Sequence, residues 1–206
     1  MNPCIEGLFN DSKRMGRLTS GLPKAFEMAA LEVPKGNPAV GILREHFLTG
    51  FFINEFGEDR VTPMADGIKR GFDISVCDHD LSIKTVTGNG EVKVLWTVDA
   101  LKIGIEISRD YRPECDIFLV NIYWGKEKDS IFYIPVSVQT DVREEFKDNY
   151  LKAKVGTNHR GIAISNDAMK VIKEDNRVLR QSVKWQLSGI DYKPHDRWEK
   201  FWEDLQ

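Results

Sequence analysis

The 206 residues predict an α/β fold of the α+β kind, with a mixed central β-sheet flanked by helices. Three observations carry this. Apolar residues recur with a period near four up to about residue 56, the period drops to two after residue 70, and one strongly apolar run, Asp116 to Tyr123, reads as a central strand covered on both faces.

The elements follow in order. The first thirty or so residues, ending in Ala25-Phe-Glu-Met-Ala-Ala-Leu31, read as helical, and Pro34, Gly36 and Pro38 punctuate the chain. Asn37 before Pro38 fits an N-cap with proline at the first helical position, which opens a helix over 38–56 that Gly57 closes. Within it Leu43, Phe47 and Phe51 recur at i, i+4, and Leu48 and Phe52 widen the stripe, so one side packs on a core. Phe72, Ile74 and Val76 then alternate with Asp73 and Ser75. Cys77-Asp-His-Asp80 supplies turn chemistry, and Leu81 and Ile83 alternate with Ser82 and Lys84, which makes a hairpin. Further strands are expected over 91–98, 102–108, 116–123 and 130–136, with a short one over 161–165. Helices are expected over 141–153 and 166–173, the latter capped by Ser165 or Asn166. Trp198 and Trp202, at i, i+4, predict a closing helix whose tryptophans serve an interface or fill the core. No linker or repeat divides the chain, so the expectation is one domain over 1–206, with a helical part to about 56, a mixed-sheet core over about 57–175 and a helical tail.

Composition narrows the class. Hydrophobic residues at 41% and charged residues at 30% suit an ordinary globular chain. No apolar run has membrane-spanning length, and the charged N-terminal segment is unlike a secretory signal, so the expected compartment is the cytoplasm. Cys4, Cys77 and Cys115 lie far apart with no C-x-x-C, and His46, His79, His159 and His195 form no i, i+4 pair. Incidental thiols and no transition-metal site are therefore expected, and any metal would be a hard cation held by carboxylates. Net charge is -3, yet residues 150–186 hold eight basic side chains against three acidic ones, a basic region in an acidic protein.

With a four-residue turn over 77–80, Asp73 stands opposite Lys84 on one face, about 5 Å apart at Cβ, and the apolar set Phe72, Ile74, Val76, Leu81 and Ile83 lines the other. Phosphodiester hydrolysis needs a hard metal, a second carboxylate to fix that metal and a cation near the developing charge. Asp73 and Lys84 supply two parts, and Glu45, at the border of the helical stripe, is the candidate third. By spacing alone the Asp–Lys pair is more commonly an exposed ion pair worth under about 1 kcal/mol.

The run Asp73-(ten residues)-Lys84, set in a hairpin after a glutamate-bearing helix, resembles the PD-(D/E)XK nucleases, and especially their type II restriction endonucleases. Similar segments are Gly41-Ile-Leu-Arg-Glu45-His-Phe-Leu48, Leu81-Ser-Ile-Lys-Thr-Val-Thr87-Gly-Asn-Gly90 and His159-Arg-Gly-Ile-Ala-Ile-Ser165, and the likeness covers roughly residues 38–172. The resemblance implies that Asp73 bridges metal and that Lys84 is the catalytic lysine. Where the family has a carboxylate two before the lysine, this chain has Ser82; that departure resembles a subgroup in which an upstream helix supplies the carboxylate, here Glu45, with Glu55 and Glu58 ranked below it. Gly71 stands where the family's proline would be.

It further implies Mg2+ held by Asp73 and Glu45, sequence-specific hydrolysis of double-stranded DNA at a palindromic site, and a homodimer. The DNA-contacting candidates are Lys35, Thr85, Thr87, Asn89, Lys93, Asn158, His159 and Arg160. Two other readings remain: a structure-directed repair or junction nuclease, and a non-catalytic α/β DNA-binding module in which Asp73 and Lys84 are a structural pair.

Overall fold

The computed structural model describes residues 1–33, 36–37, 39–64, 71–95, 110–152, 161–193 and 195–205. Three helices come first: α1 (Pro3–Asn10), α2 (Ser12–Glu32) and α3 (Ala39–Phe56). Asn2 caps α1, and Asp11 breaks the expected N-terminal helix in two because its carboxylate accepts the amides of Lys13 and Arg14, both at 3.0 Å, and starts α2. Asn37 accepts the Ala39 amide at 2.9 Å, and Gly57, at φ +92°, closes α3, as expected.

The strands are β1 (Val61–Pro63), β2 (Ile74–Val76), β3 (His79–Thr87), β4 (Lys93–Leu95), β5 (Asp116–Ile122), β6 (Glu127–Ile134), β7 (Leu151–Lys152), β8 (Ile162–Ile164) and β9 (Leu179–Lys184). The later helices are α4 (Val136–Phe146), α5 (Asn166–Glu174) and α6 (Asp196–Glu203). A six-stranded mixed sheet runs in the order β1-β2-β3-β5-β6-β9, with β3 and β5 parallel and the other neighbours antiparallel; β4, β8 and β7 form a second, antiparallel sheet.

Alternation along the strands sorts side chains to two cores. Leu81, Ile83, Phe118, Val120, Ile131 and Tyr133 pack against α1 to α3, where Leu18, Leu22, Phe26, Leu48 and Phe52 are fully buried. Ile117, Leu119, Phe132 and Ile134 pack on the other face against α4, α5 and β8. Each such large side chain contributes about 1.5–3 kcal/mol of burial, and β5, buried along its whole length, is the doubly covered strand that its sequence predicts.

Several expectations change. The hairpin turn has two residues, not four: Val76 faces His79 and Ile74 faces Leu81, with Cys77 and Asp78 at φ +49° and +64°. Such a left-handed pair matches the twist of the flanking strands. The register slips by two residues, which preserves the face of every side chain, so Asp73 sits beside Ser82 and reaches Lys84 diagonally. Val136 begins α4 instead of ending a strand because Pro135 supplies the extended cap residue, and α4 ends at Phe146 where Lys147 takes φ +50°, so the helix expected over 141–153 lies earlier. Strand β9, hidden in the basic run, pairs with β6. Cys4 and Cys77 form a disulfide with Cα atoms 6.4 Å apart, not two incidental thiols. The strand expected over 102–108 lies outside the described residues. Among the described residues, no helix is long and apolar enough to cross a membrane.

Candidate active site

The end of β2 and the middle of β3 build the site. Strand β2 begins only at Ile74, so from Ser82 onward β3 is paired with β5 alone among the described residues and its other edge is open. Asp73 fills that opening. Its Oδ2 accepts the Ile83 amide at 2.6 Å, the Ser82 hydroxyl at 3.0 Å and the Lys84 ammonium at 3.3 Å, while its own amide donates to the Leu81 carbonyl at 3.0 Å. One side chain thus replaces the missing strand, and its position is set by backbone and hydroxyl donors more than by the ion pair, which at 21% and 33% side-chain exposure adds little energy. The acid, the hydroxyl and the amine lie on the face away from Leu81 and Ile83, as the alternation predicts.

Helix α3 packs on β1, β2 and β3 through Leu48 and Phe52 and delivers Glu45, half-buried, to this edge. Burial, then the negative charge of Asp73, push the Glu45 carboxyl up to about 7, and Lys84 opposes them. The charges of both hairpin groups thus act on Glu45, whose helix packs against the strands that carry them. The competing donors are placed elsewhere. Glu55 is engaged by Arg14, at 2.8 Å, and by Arg17, and Glu58 is exposed beyond Gly57.

Among the described residues, no group of three or more His, Cys, Asp or Glu is placed to hold a metal ion. Two carboxylates suffice for a hard cation that keeps waters and takes phosphate oxygens as its remaining ligands. Burial first and the Asp73 charge second raise Glu45, and a divalent cation would relieve the second, so the two carboxylates suit a hard cation.

The family model described as restriction endonuclease ThaI matches residues 8–204. The chain belongs to this restriction endonuclease family. Consistent with that, the chain is 33% identical to a solved structure titled "Restriction endonuclease in complex with substrate DNA", at a TM-score of 0.86, covering 97% of this chain and 99% of that one. No curated protein sequence matches it.

The ThaI-family endonuclease places its other expected residues unevenly. Thr85 is half-buried on β3, Thr87 ends that strand, Asn89 is exposed in the following turn, and Lys93 is half-buried on β4. Lys35, Asn158, His159 and Arg160 lie outside the described residues. Much of the basic run is committed internally: Lys152 pairs with Glu91 at 3.0 Å, and Arg177 with Asp141 and Asp175 at 2.7 and 2.8 Å.

Two neighbours of the site are not apparent from sequence. Ser82, at first only a departure from a motif, is a ligand of Asp73. Cys115 is buried with its thiol donating to the Gly71 carbonyl at 3.4 Å, and burial pushes that thiol up to about 12. Only a contact between β3 and the start of β5 reveals it.

Proposed function

We propose that this ThaI-family endonuclease is a magnesium-dependent type II restriction enzyme that hydrolyses double-stranded DNA with Asp73, Glu45 and Lys84, as the PD-(D/E)XK subgroup with a helix-borne second carboxylate does. The observation that carries the reading is the convergence of the α3 glutamate with the hairpin acid and amine on one open strand edge.

Magnesium bound there would polarise the scissile phosphate and acidify a water. Asp73 and Glu45 would hold it, Asp73 kept in place by Ser82 and the Ile83 amide. Lys84 orients the attacking water and stabilises the charge growing on phosphorus, and its half-buried position strengthens that interaction over one in bulk solvent. Thr85, Thr87, Asn89 and Lys93, which follow Lys84, are proposed to touch the duplex, as are Lys35, Asn158, His159 and Arg160.

A two-fold homodimer on a palindromic site is part of this reading, each copy a single nuclease domain over 1–206 acting on one strand. Exposed Phe201, Trp202 and Leu205 on the C-terminal helix and just after it support an interface role there. The proposed compartment is the cytoplasm, where the thiol pool makes the Cys4–Cys77 bond the feature most open to reduction.

The test is plasmid DNA incubated with the protein, with and without magnesium. Discrete fragments that need both magnesium and Lys84 are expected. Unbroken plasmid, or cutting by Lys84→Ala at the wild-type rate, refutes the assignment.

A further inference from the structure

Arg44 precedes the candidate metal ligand on α3, yet its surroundings are unlike those of an ordinary helical arginine. It is 7% exposed and has no carboxylate within ion-pair distance among the described residues. Its Nη1 donates to the Thr87 hydroxyl at 3.5 Å, the weakest useful length, and its Nε is buried without a hydrogen-bond partner among the described residues. The guanidinium stands over the Phe26 ring at 5.3 Å. Every other buried charge described on this side of the sheet is answered: Glu27 by the amides of Ser188 and Gly189, and Asp116 by Tyr133 and the Val136 amide.

A permanent cation buried without a counter-charge is destabilising unless something anionic completes it. The place where it is aimed narrows the choice. Thr87 ends β3 three residues beyond Lys84, about 10 Å along the strand, and the turn after it is held from the other face by Asn121, whose Nδ2 donates to the Gly88 carbonyl at 3.5 Å and whose Oδ1 accepts from Lys173 at 3.0 Å. The guanidinium is thus held at the end of the strand that carries Lys84, under the opposite face from that lysine.

We infer that Arg44, with the Thr87 hydroxyl at the end of β3, binds a backbone phosphate of the DNA, its missing counter-ion being the substrate. The inference rests on the nuclease reading above. Phosphate binding by a preplaced, desolvated arginine at the end of β3 helps to position the duplex without reading sequence.

The test compares wild type, Arg44→Met and Arg44→Lys. Cleavage of plasmid by wild type comes first, and a duplex spanning its cut position serves for binding in calcium over a range of salt. Arg44→Met should weaken binding about tenfold and flatten the dependence of log affinity on log salt by about one, the signature of one lost phosphate contact. Arg44→Lys should keep the salt slope. The DNA-free melting temperature of Arg44→Met should equal or exceed that of wild type, because an unpaired buried charge has been replaced by an apolar chain of similar length.

An unchanged salt slope together with a lowered melting temperature overturns the inference and makes Arg44 a packing residue, while the wild-type fragments still stand. A wild type that neither binds nor cuts refutes the nuclease reading itself.

Discussion

The two ends of the β2–β3 hairpin are built on opposite principles. At the turn end Cys77 is bonded to Cys4, the Asn2 side chain donates to the Val76 carbonyl at 2.8 Å, and the Asn2 amide donates to the Tyr133 hydroxyl at 2.7 Å, which in turn donates to Asp116. Each of these polar groups has a partner and none is left over. At the open end Asp73 takes three donors on one oxygen, its charge adds to burial in raising Glu45, and Arg44 has no acid among the described residues. The turn end secures the fold, and the open end gathers the charges to which the proposed metal and DNA would bind. Stability and chemistry in this hairpin therefore respond to different substitutions.

The largest expected separation is in cleavage. Asp73→Asn or Lys84→Met should lower the cutting rate at least a hundredfold to about a thousandfold while changing the melting temperature by no more than a few degrees. A stability loss as large as the activity loss would show that the open end is structural after all. At the turn end the pattern should reverse. Cys4→Ser, or reduction of the wild type, opens a link spanning 73 residues and should cost about 2–4 kcal/mol in denaturant unfolding, with the cutting rate of the folded protein within about twofold of wild type.

Acidity sharpens the contrast further. Glu45 is raised from 4.5 to about 7 in the folded chain, so between those values the folded state binds a proton that the unfolded state does not. Its contribution to metal-free stability is therefore greatest below about 4.5 and is lost as pH rises through about 7. Added magnesium or calcium should restore stability increasingly from pH 6 to 8. Melting curves of Glu45→Gln should show neither the fall nor the restoration. The smallest effect is expected at Ser82→Ala, which removes one of three donors to Asp73: about 1 kcal/mol in the activation barrier, a five- to tenfold slower rate, with stability nearly unchanged.

Much of this contrast is legible in sequence, for a physical reason. Side-chain alternation has a period of two, so the two-residue slip of the hairpin register left Asp73 and Lys84 on their predicted face and Leu81 and Ile83 in the core. Glu45 is recognisable because it borders the apolar stripe that docks α3. The features that sequence hides depend on distant partners. The pairing of Cys4 with Cys77 needs α1 to return to the hairpin turn, and β9 is masked by Arg180, Gln181, Ser182 and Lys184, polar residues that an edge strand tolerates. Arg44 is the sharpest case, since beside Glu45 it looks like half of an exposed pair, and only its burial shows otherwise.

The central claim, that a helix glutamate and a hairpin aspartate share one cation, is tested most directly by calorimetric titration of calcium into wild type, Asp73→Ala and Glu45→Gln. Binding by wild type, weakened about tenfold or more in each variant and no further in the pair together, is the expected result. Wild-type affinity retained by Glu45→Gln would contradict it, because the helix would then contribute nothing to the site.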